Sequence, residues 1–367
     1  MAVRSSKINL VYQFMLQIIK AENSEIGDRL PTEVELADRF EVSRPTVTKA
    51  VNLLIEEDMV YKRPGMGTFI KQKTSSSNGE YVFGLVFPLI GKGEIFRPIT
   101  EAIADLSEKL NFSLVWGGQF SQSKMNSTQM DQMVDFYLQN KVDGILMAPM
   151  ELSSECMSIN KKIVDKIISA GIPLVLVDGD FLEFPERSNF DLVGIDNFRA
   201  GYIMTNHFLD QGAKRIDFLK LPYSAQTIPQ RIMGYQQSLV DAEISPSHDW
   251  VHSSEMDNDQ DIQDIIESGA RNIICSNDDV AIQLIKSLSN LNLRVPEDVR
   301  VIGFDDQVFA KYPGISLTTV AQPCQKIGSL VVQVLLERIK SPDLPPRKVN
   351  VDFDYKIRQS SIIPQNN

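Results

Sequence analysis

Cysteine, histidine and tryptophan are scarce in this chain of 367 residues, which holds three, three and two of them. Cys156, Cys275 and Cys324 form no Cys-x-x-Cys pair, and three cysteines cannot all be bridged within one chain. That excludes a disulfide scaffold and leads us to expect a reducing compartment, the cytoplasm. With His207, His248 and His252 as the whole histidine complement, no metal site is expected. No uncharged apolar run reaches the roughly 18 residues a membrane span needs. The positively charged start lacks a small-residue cleavage site, so no secretory signal is expected. Gly-x-Ser-x-Gly, P-loop and His-Glu-x-x-His patterns are missing too, and no catalytic residue or cofactor is assigned. What is there, 43% hydrophobic and 23% charged residues, describes a soluble globular protein with length for two or three domains.

The net charge of −11 is unevenly spread. Residues 1–73 carry 11 basic against 10 acidic side chains, and the rest of the chain 26 against 38. Acidity therefore belongs to the long C-terminal part, and binding of nucleic acid stays open for the first segment alone. Residues 72–80 (Gln-Lys-Thr-Ser-Ser-Ser-Asn-Gly-Glu) contain no apolar side chain and read as a flexible linker. The expected division is a domain over 1–71, a linker over 72–80 and a larger part over 81–367.

In the first segment, apolar residues from Ile8 to Ile19 recur at three- and four-residue spacing and predict a helix over 7–21. Thr32 and Glu35 have capping-box spacing for a second helix ending near Phe40. Ser43 can cap a third, with Pro45 in its first turn and Val47, Val51 and Leu54 on its apolar stripe. Strands at 59–61 and 68–70 flank a Gly-rich turn, which completes a winged helix-turn-helix. The third helix would present Ser43, Arg44, Thr46, Thr48 and Lys49 to a major groove, and the hairpin tip Lys62 and Arg63 to the sugar-phosphate wall. A small helical domain with ordinary surface charge would share this pattern.

The stretch Leu30-Pro-Thr-Glu-Val-Glu-Leu-Ala-Asp-Arg-Phe-Glu-Val-Ser-Arg-Pro-Thr-Val-Thr-Lys-Ala50, followed by Arg63-Pro-Gly-Met-Gly-Thr-Phe-Ile70, resembles the DNA-binding module of GntR-type bacterial regulators. The resemblance implies double-stranded operator DNA as partner and puts Ser43, Arg44, Thr46 and Gly65 on operator-contacting positions. Val34 and Thr48 stand where many members of that family have arginine, so the operator sequence does not carry over.

Beyond residue 81, short apolar runs alternate with amphipathic stretches. Nine strands are expected, at 82–87, 113–116, 144–148, 173–178, 192–195, 215–219, 271–276, 299–304 and 317–320, in an α/β fold with two doubly wound, parallel-sheet lobes. Ligands of such sheets bind beyond the carboxyl ends of strands. There the sequence places Asp178, Asn277, Asp278, Asp305 and Asp306, with Arg231 on a helix. Carboxylates, an amide and a guanidinium suit a polyhydroxylated ligand. Any one of them can equally be a helix cap, Asp278 above all.

Val193-Gly-Ile-Asp-Asn197, Gly212-Ala-Lys-Arg-Ile216, Arg231-Ile-Met-Gly-Tyr235, Cys275-Ser-Asn-Asp278, Val295-Pro-Glu-Asp-Val-Arg-Val-Ile-Gly-Phe-Asp-Asp306 and Leu317-Thr-Thr-Val320 resemble the sugar-binding core of LacI/GalR-type repressors, itself similar to periplasmic sugar-binding proteins. The resemblance implies that Phe96, Asp178, Arg231, Asn277, Asp305 and Gln322 contact the effector, with Phe96 beneath the sugar ring. Gly179 and Ala148 depart from residues found in some pentose binders. A GntR-type reader on such a core is similar to the arabinose-repressor family, and arabinose or another neutral monosaccharide is the expected effector. The linker has no counterpart of the LacI-type hinge helix. An exported transport protein would need a signal peptide in place of the reading head, and an aminotransferase fusion a longer chain and a cofactor lysine. The expectation is a cytoplasmic transcription regulator, a homodimer matching a palindromic operator, with repression relieved by sugar. His207 is expected to be a packed or capping histidine, and Gly91-Lys-Gly93 to be a mobile loop at the cleft mouth.

Overall fold

Thr32 and Glu35 do form the reciprocal cap their spacing predicts. In a computed structural model of the chain, the Thr32 hydroxyl accepts from the Glu35 N–H, and the Glu35 carboxylate accepts from the Thr32 N–H. The structure describes residues 6–20, 24–56, 59–63, 65–71, 81–87, 95–115, 127–151, 153–256, 258–311 and 316–362. The expected linker and the Gly91–Gly93 loop lie outside them. The chain divides into two compact units, one made of Met1–Val82 with Asn111–Val115, the other of Phe83–Leu110 with Trp116–Asn367.

The head is α1 (Ser6–Lys20), α2 (Glu33–Arg39), α3 (Arg44–Glu56) and the antiparallel pair β1 (Val60–Arg63) and β2 (Gly67–Ile70). Val11, Met15, Ile19, Leu36, Val47, Val51, Leu54, Val60 and Ile70 are buried together, so the predicted apolar stripes face one core. The Ser43 hydroxyl does not cap a backbone N–H here. It pairs with the Thr46 hydroxyl at 2.8 Å, while the Ser43 carbonyl accepts the Thr46 and Val47 N–H groups.

The remaining elements follow as β3 (Tyr81–Val86), α4 (Phe96–Ala104), α5 (Ser107–Leu110), β4 (Phe112–Val115), α6 (Ser127–Gln139), β5 (Gly144–Met147), α7 (Cys156–Ser169), β6 (Leu174–Val177) and β7 (Asp191–Gly194). Next come α8 (Asn197–Leu209), β8 (Asp217–Lys220), α9 (Thr227–Asp241), β9 (Val251–Ser253), α10 (Asp259–Glu267), β10 (Asn272–Cys275), α11 (Asp278–Asn290), β11 (Arg300–Phe304), β12 (Thr318–Ala321), α12 (Cys324–Lys340), β13 (Lys348–Asn350) and β14 (Asp354–Lys356). Two six-stranded sheets result, in the orders β13-β7-β6-β5-β3-β4 and β14-β12-β11-β10-β8-β9. Their described pairings are parallel apart from β12 with β14. Every residue of β5, β6, β7 and β10 is buried, as strands covered on both faces must be. All nine expected strands are present, shifted by a residue or two at their ends. The expectation missed β9, β13 and β14, three-residue strands at or near sheet edges with no fully buried position.

Three crossings link the lobes, after β7, after β12 and between β13 and β14. They put Gln322 on a crossing and bring α12 back to pack on α4 and on β5, β6 and β7 of the first lobe.

Candidate functional site

The carboxyl ends of β6 and β11 carry the two carboxylates of the expected ligand site, and both sit on unusual backbone. Asp178 has φ 71°, Asp305 φ 112° and Asp306 φ 51°. Non-glycine residues in this region cost on the order of 1–3 kcal/mol each and collect at functional sites. Each turn is held: the Asp178 N–H donates to the Val193 carbonyl at 2.9 Å and that of Asp305 to the Val320 carbonyl at 2.8 Å.

Arg231, in the first turns of α9, is 4% exposed. Its Nε donates to Asn197 Oδ1 at 2.9 Å, and its Nη1 donates to the Ser276 carbonyl at 2.7 Å. The guanidinium lies 3.3 Å from the centroid of the Phe304 ring. Burial pushes the Asp178 carboxyl up, against the pull of Arg231 and Gln322. Asp305 is pushed up to about 7 by burial, opposed by the same two residues. Gln322 Nε2 donates to Asp305 Oδ1 at 2.9 Å. The structure thus brings Asp178, Arg231, Asp305 and Gln322 together. Asp178 Oδ1, Gln322 Oε1 and Ser276 Oγ are buried there without a hydrogen-bond partner, which costs about 1–3 kcal/mol per group unless a ligand supplies one. A cavity of about 770 Å³ opens beside Asp305 and Gln322, with Gln307, Arg97 and Glu101 also on its wall.

The cap expected of Asp278 falls to its neighbour Asn277. Asn277 is the N-cap of α11, its Oδ1 accepting the Val280 N–H at 2.9 Å. Asp278 is fully buried and accepts from Thr319 Oγ1 at 2.7 Å and from the Gln307 N–H at 2.8 Å. It braces the turn that carries Asp305. Phe96 is 4% exposed and packs on Phe87, with ring centroids 5.5 Å apart. Asn197, Ser276 and Phe304, which hold Arg231, went unnoticed in the sequence. All three lie inside the quoted motifs, but nothing in the sequence pairs them with Arg231; a buried guanidinium requires acceptors without saying which. His207 is packed as expected, its Nε2 2.8 Å from Ser361 Oγ.

A pH test follows from Asp305. Its folded-state value near 7 lies above that of an unfolded aspartate, about 3.9. The folded protein therefore holds this proton more tightly, and the stability it lends is full below about pH 4 and lost as pH rises through 7. Thermal midpoints of the unliganded protein and of Asp305→Asn are expected to converge at pH 4 and separate towards pH 8, with the variant higher by several degrees. A constant gap across that range would refute the assignment.

In the reading head, Ser43, Arg44, Lys49, Arg63 and Gly65 are exposed, while Thr46 and Thr48 are half-buried. The guanidinium of Arg63 lies 5.4 Å from the centroids of both Tyr61 and Phe69. Thr48, expected to face DNA, instead donates its hydroxyl inside the head, to Glu33 Oε2 at 2.7 Å. Gly65 has φ 70° with open space about its Cα, and suits a wing tip whose backbone approaches a partner.

Residues 7–70 match the family model for bacterial regulatory proteins of the gntR family, and residues 205–361 that for a periplasmic binding protein-like domain. The class is thereby defined: a transcription regulator with a GntR-type DNA-binding head and a periplasmic-binding-protein-like core. Over 354 residues the chain is 26% identical to the arabinose metabolism transcriptional repressor of Halalkalibacterium halodurans, across 90% of this chain and 89% of that one. Its fold is similar to that of the transcription regulator CcpA of Lactococcus lactis, with a TM-score of 0.66 and 22% identity over 77% of this chain and 100% of the other. It is also similar to that of a LacI family transcriptional regulator from Enterococcus faecium with bound ribose, with a TM-score of 0.61 and 23% identity over 77% and 100% of the two chains. At these identities the two structures speak for the fold alone. Among the described residues no helix is long and apolar enough to cross a membrane, no group of side chains could hold a metal ion, and the three cysteines are free thiols.

Proposed function

We propose that this regulator is a cytoplasmic repressor of carbohydrate-utilisation genes, bound to its operator as a homodimer and released by a small neutral sugar, L-arabinose or another monosaccharide. The reading rests on one observation above all. Asp178 Oδ1, Gln322 Oε1 and Ser276 Oγ present unpartnered buried acceptors around the fixed guanidinium of Arg231. Acceptors in that number call for a ligand rich in O–H donors, and Arg231 and the amide nitrogen of Asn277 donate in return. Phe96 is assigned to the apolar face of the ring. Residues 1–71 form the reader, with Ser43, Arg44, Thr46, Lys49, Arg63 and Gly65 towards DNA, 72–80 the linker and 81–367 the effector-binding part.

Ligand binding then favours a state of lower operator affinity, with a coupling on the order of 1–3 kcal/mol. A thermal-unfolding scan against monosaccharides and their phosphates tests the proposal. A ligand at about 100 times its dissociation constant adds roughly 2.7 kcal/mol, and the responding sugar is expected to lower operator affinity in a fluorescence anisotropy titration. A response to phosphates alone, or to no sugar, would overturn it.

A further inference from the structure

One carboxylate in the head meets two elements that a winged reader has to keep in register. Glu33 is the first residue of α2. Its Oε1 accepts from Lys62 Nζ on β1 at 2.6 Å, and its Oε2 accepts from Thr48 Oγ1 on α3 at 2.7 Å. Thr48 Oγ1 also lies 3.0 Å from the Arg44 carbonyl in the first turn of α3, the end that carries the proposed base-contacting side chains. The Lys62 and Glu33 side chains are 39% and 31% exposed, so the pair is within reach of a partner. Partial burial raises the Glu33 carboxyl, yet the hydrogen bonds from Lys62 and Thr48 bring it below its ordinary value. It is ionised near neutral pH.

Reading by such a head needs two placements at once, the N-terminal part of the recognition helix in the major groove and the hairpin on the neighbouring backbone. Glu33 ties both to the same turn of α2. It also neutralises a lysine that would otherwise sit beside Arg63 as a second wing cation, and phosphate-directed cations raise affinity for any sequence equally.

We infer that Glu33 is a positioning residue for DNA recognition. Its carboxylate, bridging Lys62 and Thr48, fixes the wing against the recognition helix and withholds the Lys62 ammonium from DNA phosphates, favouring sequence selectivity over general affinity. This inference rests on the DNA-binding reading above.

The full-length protein is titrated with two duplexes of equal length, one carrying the site it selects from a random-sequence pool, the other scrambled, across a range of salt concentrations. Glu33→Gln is expected to bind the scrambled duplex more tightly, with a log–log salt slope steeper by about one per head. The ratio of specific to non-specific affinity should fall about tenfold. Lys62→Met should keep the parent's slope, and the Glu33→Gln/Lys62→Met double variant should return to it. Thermal midpoints close to the parent's mark each variant as folded. A loss of slope in Lys62→Met would mean that Lys62 already neutralises a phosphate, and would overturn the inference. So would unchanged scrambled-duplex binding in Glu33→Gln. If the parent selects no site at all, the DNA-binding reading falls with it, whereas a parent that selects one beside indifferent variants sinks the Glu33 inference alone.

Discussion

Arg231→Ala is expected to bind operator as the parent does and to stay bound when sugar is added. Its guanidinium is the cation whose charge pulls on the buried carboxylates of Asp178 and Asp305. Truncating one member of a buried, hydrogen-bonded charge network costs about 2–5 kcal/mol, which in affinity is on the order of a hundredfold or more. The same change leaves Asn197 Oδ1 and the Ser276 carbonyl without their donor. A thermal scan in which the sugar-induced midpoint shift disappears, beside intact operator binding, is the expected pair of results. Arg231→Lys keeps the charge but not the fork that reaches both acceptors, so a partial shift is expected from it. An Arg231→Ala protein that still leaves the operator on sugar addition would remove Arg231 from the ligand site.

Gly234→Ala is expected to be the most damaging of the conservative changes. A Cβ at Gly234 would stand 1.9 Å from the Phe198 carbonyl oxygen, and one at Gly201 2.0 Å from that of Arg231. Helices α8 and α9 thus touch backbone to backbone, and neither neighbour is a side chain that could swing away. Overpacking usually costs about 1–3 kcal/mol, and here the loss should exceed about 3 kcal/mol because the obstacle is main chain. Helix propensity alone would favour alanine by about 1 kcal/mol, so the sign of the effect in urea unfolding decides between the two. Since Asn197 on α8 holds Arg231 on α9, a protein that survives the change should also bind sugar less well.

How far the sequence could carry the reading depended on the kind of signal involved. Central strands were legible because burial on both faces demands unbroken apolar runs, as in Leu174–Val177. The edge strands β9, β13 and β14 bury no residue fully and leave no such run. At the proposed ligand site, Asp178, Arg231, Asp305 and Gln322 could be named because they stand at strand ends or in motifs. The partners of Arg231 could not. Asn197 lies 34 residues from it and Ser276 45, and such a pairing is settled by the fold. The assignment of cap and carboxylate at Asn277 and Asp278 turns on one residue of register, at the limit of what pattern reading resolves. Thr48 was misplaced for a related reason: a hydroxyl on a recognition helix looks the same in sequence whether it faces DNA or a neighbouring carboxylate.

The left-handed backbone at Asp178 and Asp305 has a consequence for anyone retuning the protein as a biosensor. Both positions admit few residue types without strain, glycine, asparagine and aspartate foremost. Libraries that randomise them will mostly return destabilised clones. Asn277 and Gln322 have φ values outside that region, as does Arg97 on the cavity wall. Directed evolution towards a new inducer therefore has its usable freedom at Gln322 and Arg97, and at Asn277 only among residues that still cap α11, while the two aspartates act as a fixed chassis.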